Sequence, residues 1–146
     1  MAKKKSTPAS PISDGPMLAV AARRWENMAA DALRDEELTV TAFLLLDAID
    51  RCAATGEPVT QTIIGRMTAN DVMVTSKSLR GLEERGLIKR AVHPTDSRAR
   101  HVTVTRDGAN TLKAARKALA KVDGDILGGG VMNGQVRKSL NTLIGG

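Results

Sequence analysis

Residues 71–108 form a continuous stretch, DVMVTSKSLRGLEERGLIKR (71–90), AVHPTDSRAR (91–100) and HVTVTRDG (101–108), that decides the fold. The first part predicts a helix that begins after Asp71, a good N-cap residue, and ends at Gly86. The remainder predicts two strands, Ile88–His93 and His101–Val104, on either side of a basic loop. A helix followed by a basic hairpin is typical of a winged helix-turn-helix. The fold class predicted is therefore mainly α with a small β-hairpin wing.

The predicted helix after Asp71 has two different faces. An apolar stripe is expected at Val72, Thr75, Leu79 and Leu82, with Thr75 as its one polar position. The opposite face is short, polar and basic. Small hydroxyls and Lys or Arg side chains can reach base edges and phosphates in the major groove of DNA. The candidate DNA-binding residues of this helix are Met73, Ser76, Lys77 and Arg80, with Val74 and Ser78 on the flanks.

The loop between the two strands carries Arg98 and Arg100 at the tip of the hairpin. Arginine gains from the negative potential of a narrow minor groove, so both are candidate DNA-binding residues. Asp96 lies in the same loop, where it either holds a basic side chain by a charge-assisted hydrogen bond or forms the turn.

Basic residues are concentrated in the predicted helix and wing. Residues 61–106 hold nine Lys or Arg and four Asp or Glu, whereas residues 17–60 hold four and eight, within a chain of net charge +6. A basic excess on the candidate helix and wing is the electrostatic footprint of a nucleic-acid binder. The alternative is an ordinary solvated basic face.

The remaining segments predict further helices. Helix one spans residues 16–34 with Pro16 at its first position, and helix two runs from a cap at Thr39 or Thr41 to about Thr55. Thr60 caps helix three, whose Ile63, Ile64 and Met67 are expected to face inward. Val59 is expected to pair as a short third strand.

The C-terminal third predicts helices that need a partner. One apolar stripe follows a cap at Thr105, and a last helix follows the Gly128–Gly130 interruption. Because the winged helix encloses its own core, a symmetric second copy is the expected partner, and packing on helix one alone is the alternative. The first stripe comprises Leu112, Ala115, Leu119, Val122 and Ile126, and the second Val136, Leu140, Leu143 and Ile144.

Three motifs in order, LEERGLIKR (82–90), TDSRAR (95–100) and VTVTRDG (102–108), resemble the signature of the multiple-antibiotic-resistance regulator (MarR) family. The resemblance covers about residues 16–146. It implies a dimeric winged helix-turn-helix regulator on double-stranded DNA. The expected function is a sequence-specific transcriptional regulator that acts as a repressor on a pseudo-palindromic operator and is released by a small-molecule effector.

The resemblance also assigns residues and regions. Ser76 and Lys77 match the hydroxyl–basic pair of the recognition helix, and Arg98 matches the arginine that enters the minor groove. Thr60, Gln61 and Thr62 match phosphate-contacting positions, and a helix N-terminus favours phosphate on its own account. The division expected is a flexible basic tail at 1–15, a winged helix-turn-helix at 39–106, and dimerisation helices at 16–34 and 106–146.

Other functional classes are disfavoured. The sequence has no catalytic elbow, phosphate-cradling loop or metal-ligand cluster, so no enzyme, cofactor or metal is expected. No apolar run is long enough for a membrane span, and one cysteine fits a reducing cytoplasm. Cys52 is expected to be a buried core residue and not a redox sensor, and His93 and His101 to be solvated residues of the wing.

Two alternatives remain open. A winged helix can bind protein and not DNA, in which case exposed apolar residues should replace the basic face. A DNA binder can also act without a ligand, as an architectural protein or constitutive repressor. The second alternative is kept because the chain has no Tyr, one Phe and one Trp, so an effector pocket would have to use Trp25, Phe43, Met28 and aliphatic side chains.

Overall fold

A computed structural model describes residues 12–56, 58–92, 100–126 and 132–145. The chain forms six α-helices, one short 3-10 helix and one antiparallel hairpin within these residues. The helices are α1 (Asp14–Ala32), α2 (Val40–Ala53), α3 (Gln61–Met67), α4 (Val72–Glu84), α5 (Arg106–Ile126) and α6 (Gly134–Leu143). The strands are β1 (Ile88–Val92) and β2 (Arg100–Val104), and the 3-10 helix is Arg34–Glu36. The predicted fold class is confirmed.

The helix starts follow the capping residues. Thr39, and not Thr41, caps α2 by accepting the Ala42 N–H at 3.1 Å, and Asp71 caps α4 by accepting the Val74 N–H at 2.8 Å. Helix α1 starts at Asp14, so Pro16 is its third residue and not its first, and the predicted tail loses its last two residues. Proline fits there because the first four N–H groups of a helix have no intrahelical acceptor.

The end of α4 is a sharp turn at Gly86, whose φ is +70°. The Leu87 N–H reaches the Leu82 carbonyl at 2.9 Å, and the Gly86 N–H reaches the Glu83 carbonyl at 2.9 Å. This pair of bonds is a Schellman motif, which favours glycine at the left-handed position. The chain leaves the turn directly into β1.

The hairpin is paired in register from Ile88 opposite Val104 to Val92 opposite Arg100. The predicted third strand is a single bridge between Thr60 and His101, supported by the Val102 N–H donating to the Val59 carbonyl at 2.8 Å. His101 is not a solvated wing residue, since its Nδ1 accepts the Val59 N–H at 3.0 Å. The segment before α3 is thereby fastened to the hairpin. His93 lies outside the described residues.

One buried cluster unites α1, α2, α4, the hairpin and α5. Helix α5 contributes Leu112, Ala115 and Leu119 to it, so most of this apolar stripe is covered within the chain and not by a partner. Several exposed apolar side chains lie instead on the first half of α1 and at α6, of which no residue is buried. They include Met17, Leu18, Val20, Val136, Leu143 and Ile144.

A set of ion pairs joins α5 to α2. The Arg116 guanidinium donates to Asp47 at 2.9 and 2.7 Å and lies 2.8 Å from Asp50. Partial burial acts to lower the pKa of Arg116, but its hydrogen bonds to Asp47 and Asp50 outweigh this effect and raise the pKa. Arg116 therefore stays charged.

The expectation that Ile63 and Met67 face inward was wrong. Ile63 and Met67 are 41% and 40% exposed, and the buried residues of the seven-residue α3 are Ile64 and Gly65. Cys52 is half-buried against the core, and its thiol donates to the Met67 sulfur at 3.0 Å. Of the residues that an effector pocket would have to use, Phe43 is buried in the core and Met28 lies exposed on α1.

Gly108, in the first turn of α5, is the position least able to accept a side chain. A Cβ atom there would lie 2.0 Å from the Leu87 carbonyl oxygen. We expect Gly108→Ala to lower the free energy of unfolding by at least about 2 kcal/mol, because backbone and not a flexible side chain must move. Urea unfolding at a fixed protein concentration measures this change.

Gly124→Ala in the same helix is the matched control. A Cβ at Gly124 meets nothing within 4 Å, so alanine should stabilise the protein by about 0.5–1 kcal/mol. Equal stability of the Gly108 and Gly124 variants would contradict the close approach of α5 to Leu87.

Candidate nucleic-acid interface

The outer face of α4 presents the predicted contact residues together. Met73, Val74, Ser76, Lys77 and Arg80 line one open concavity of about 610 Å³, with Gly81 and Glu84 at its far end. Met73, Lys77 and Arg80 are exposed, while Thr75, Leu79 and Leu82 on the opposite face are buried. Thr75 satisfies its hydroxyl by donating to the Asp71 carbonyl at 2.8 Å, which explains a polar residue in the stripe.

Val72 does not belong to the buried stripe and is 74% exposed. Helices α3 and α4 approach most closely at Gly65 and Thr75, where a Cβ on Gly65 would lie 3.1 Å from the Thr75 hydroxyl. Val72 lies one turn beyond this crossing, outside the reach of the core. It borders a second concavity of about 190 Å³ between α3 and α4.

This second concavity contains two of the predicted phosphate-contacting residues, Gln61 and Thr62. The third, Thr60, uses its hydroxyl to accept the Ile63 N–H at 3.4 Å as the cap of α3. Arg66 lines the same concavity and is exposed, one turn after Thr62. Sequence reasoning missed Arg66, although its i, i+4 spacing from Thr62 places both residues on one helix face.

A third concavity of about 470 Å³ lies between α4 and the start of α2. Val74, Lys77 and Ser78 border it from α4, and Thr39 and Thr41 from α2. These two threonines were considered only as caps. Thr41 does not cap α2, so its side chain is a further polar group beside the outer face of α4.

Two arginines fix the position of α4. Arg85 donates to the backbone carbonyls of Glu37 and Glu36 at 2.7 and 3.0 Å, which attaches the end of α4 to the chain before α2. On β1, the Nε atom of Arg90 lies 3.1 Å from a Glu83 carboxylate oxygen without hydrogen-bond geometry. These contacts hold α4, and with it the outer face that carries Lys77 and Arg80, in place.

The hairpin carries the rest of the predicted site. Arg100 is the first residue of β2 and is exposed, but it lines none of the three concavities beside α4. Arg98 and Asp96 lie outside the described residues. The structure thus brings together the contact residues of α3 and α4, and it does not bring Arg100 to them.

Neither a candidate metal site nor a candidate membrane-spanning helix is found among the described residues. It contains no group of three or more His, Cys, Asp or Glu side chains placed to hold an ion. Among the helices described, none combines the length and the apolar character needed to cross a bilayer.

The comparisons with known proteins agree with this geometry. The chain is 32% identical over 111 residues to the uncharacterized HTH-type transcriptional regulator YdcH of Bacillus subtilis, and the match covers 76% of each chain. No protein-family model matches the sequence.

Two solved structures share the fold. CouR from Rhodococcus jostii RHA1, bound to p-coumaroyl-CoA, has a TM-score of 0.79 and 22% identity over 90% of this chain and 91% of its own. A MarR-family transcriptional regulator from Rhodococcus sp. RHA1 has a TM-score of 0.78 and 21% identity over 90% and 91%. The chain therefore belongs to the HTH-type transcriptional regulators and has the winged helix-turn-helix fold of the MarR family.

Proposed function

We propose that this regulator is a homodimeric repressor that binds a pseudo-palindromic operator through α4. The observation that carries the proposal is the exposed face of Ser76, Lys77 and Arg80, flanked by the polar start of α3. Lys and Arg are the side chains that most often contact guanine O6 and N7 in the major groove. It acts in the cytoplasm, by binding and not as an enzyme.

The docking proposed places α4 in the major groove. At 13 residues, α4 is about 20 Å long, enough to cross a groove about 12 Å wide. Gln61, Thr62 and Arg66 then face the phosphates along one edge of the groove, and Thr39 and Thr41 those along the other. Arg98 and Arg100 of the wing reach the adjacent minor groove, with Asp96 holding the loop.

The proposed division of labour follows the surfaces. Residues 39–106 form the DNA-reading unit, and residues 16–34 and 106–146 form the dimerisation region, preceded by the basic N-terminal tail. The apolar side chains left uncovered on the first half of α1 and on α6 support a second copy as the partner, because they lie away from the DNA-binding face. A C2 dimer also matches the symmetry of a palindromic operator.

A small-molecule effector fits the surface between α1, α5 and α6. A concavity of about 830 Å³ there is lined by Leu18, Trp25, Ile126 and Leu140 among others, a volume within the range of ligand pockets. The Trp25 indole N–H is already used by Asp123, at 2.9 Å. One structural neighbour, CouR, was solved with p-coumaroyl-CoA, which supports a ligand-released repressor here. The alternative is a repressor without a ligand.

A protein-binding winged helix is the second candidate. Val72 and Met73 are exposed apolar residues at the start of α4, as such a module requires. Lys77, Arg80 and Arg66 surround them with positive charge, which favours DNA as the partner.

Substitution of the basic residues of α4 tests the docking. We expect Lys77→Ala and Arg80→Ala each to weaken operator binding by about 1–3 kcal/mol, and the residue that contacts a base to relax specificity at that base pair. The operator is first recovered from fragmented genomic DNA, and affinity is then measured against a scrambled duplex. Lys113→Ala, an exposed lysine of α5, is the control and should bind like the parent. If both α4 variants also do so, the recognition face is wrongly assigned.

Arg66→Ala separates phosphate contacts from base readout. We expect this variant to bind every DNA sequence more weakly by a similar factor, because a phosphate contact is independent of sequence. The slope of log K against log salt should become shallower by about one, since one fewer counterion is released. An unchanged slope would place Arg66 off the DNA.

The dimer proposal predicts a footprint. The parent protein should protect two half-sites centred about 10–10.5 base pairs apart. Leu143→Glu, which places a charge in the exposed apolar surface of α6, should give a monomer in sedimentation and lose the paired footprint. Thr142→Glu, the neighbouring polar position, should remain dimeric. A dimeric Leu143→Glu variant would exclude α6 from the interface.

A further inference from the structure

The first turn of α4 exposes three consecutive apolar side chains on a basic surface. Val72, Met73 and Val74 are 74%, 79% and 38% exposed. Val72 and Met73 contribute little to the core at this exposure, and contiguous exposed apolar side chains of this kind mark interaction sites. A complementary partner would therefore have a polar, anionic surface with an apolar group opposite these three residues.

The backbone that carries these residues is fixed. Asp71 accepts the Val74 N–H at 2.8 Å, and the Thr75 hydroxyl and N–H both bind the Asp71 carbonyl, at 2.8 and 3.0 Å. The close approach of Thr75 to Gly65 sets the helix against α3 one turn later. The first turn is thus held before any ligand binds, so that little ordering entropy is lost when its side chains make contact.

The three side chains point to different places. Met73 lies on the same helix face as Ser76, Lys77 and Arg80, at positions i, i+3, i+4 and i+7, and lines the same concavity. Val72 faces the concavity shared with α3, and Val74 also borders the one shared with α2. Met73 therefore lies on the face proposed to read bases, and Val72 lies at the border of that face with α3.

DNA offers one apolar group in the major groove, the C5-methyl group of thymine. The N-terminal residues of a helix-turn-helix recognition helix are those that contact base edges. Resting on the proposed DNA-binding function, we propose that Met73 and Val72 recognise thymine methyl groups, so that each operator half-site contains thymines contacted by the first turn of α4. One helical turn is about 5.4 Å and one base-pair step about 3.4 Å, so a thymine read by Met73 lies within about two base pairs of the base pair contacted by Lys77.

Uracil substitution tests the proposal at the level of a single methyl group. The operator duplex recovered by the wild-type protein is synthesised with deoxyuridine in place of each thymidine in turn, which removes the methyl and leaves base pairing intact. We expect one or two positions per half-site at which the substitution weakens wild-type binding roughly fourfold, the effect of losing one buried methyl contact.

The matching protein variants complete a double-mutant cycle. Met73→Ala should weaken binding to the thymine operator and lose the difference between thymine and uracil at one of these positions, and Val72→Ala should do so at the other. Met73→Leu keeps an apolar side chain and should retain the difference. Met67→Ala, which alters a methionine of similar type that lines none of the concavities beside α4, should leave the difference unchanged.

The outcomes separate this inference from the function on which it rests. Specific binding by the wild-type protein with no uracil-sensitive position, or full sensitivity in both alanine variants, overturns the thymine reading and leaves the DNA-binding function intact. Failure of the wild-type protein to select any operator overturns both. All three positions tested in α4 and α3 are exposed, so the folded state of each variant can be confirmed by its unchanged thermal unfolding.

Discussion

The architecture depends on the junction at Gly86 and Leu87. The Gly86 carbonyl accepts the Thr105 hydroxyl at 2.6 Å, the Leu87 carbonyl accepts the Thr105 N–H at 3.0 Å, and Gly108 packs directly on Leu87. Thr105 also caps α5 by accepting the Gly108 N–H at 3.0 Å. The end of the recognition helix, the base of the wing and the start of the long α5 therefore meet within a few residues. Because these contacts connect the end of α4 directly to the start of α5, a displacement of α5 would also change the orientation of α4.

Ion pairs and charged hydrogen bonds also connect these helices to α2 and to the segment before it. Arg116 fastens the middle of α5 to Asp47 and Asp50 on α2, and Arg85 fastens the end of α4 to the chain before α2. Helix α2 is thus tied to α5 directly, and the segment that precedes α2 is tied to the end of α4. The carboxylate partners raise the pKa of Arg116, so the guanidinium side of this connection stays charged.

The sequence predicted the features that depend on local chemistry. The caps at Asp71 and Thr105, and the α2 cap at one of the two candidates Thr39 and Thr41, follow from side chains that bond to backbone within four residues. The glycine turn at residue 86 and the polar face of α4 follow from the left-handed conformation of glycine and from helical periodicity. Features that depend on where helices cross were not predictable. Val72 fits the spacing of the buried stripe, yet the crossing at Gly65 and Thr75 leaves it outside, and His101 fits a solvated wing until β2 is seen to pair with Val59. Periodicity gives the direction of a side chain but not the length of the surface that covers it.

Because periodicity does not predict which apolar residues stay uncovered, the exposed apolar residues of the structure are the most informative about binding partners. Apolar exposure on α6 and on the first half of α1 is extended over several turns, as a helix partner requires. Exposure on α4 is confined to one turn and bordered by Lys77, Arg66 and capped helix ends. An apolar protein surface laid over that turn would also bury these charges without compensation, which is costly. A DNA major groove presents phosphates to the charges and thymine methyls to the apolar turn, so it satisfies both at once. The two apolar surfaces of this regulator are therefore suited to two different partners, a second copy at α1 and α6 and a thymine-containing groove at α4.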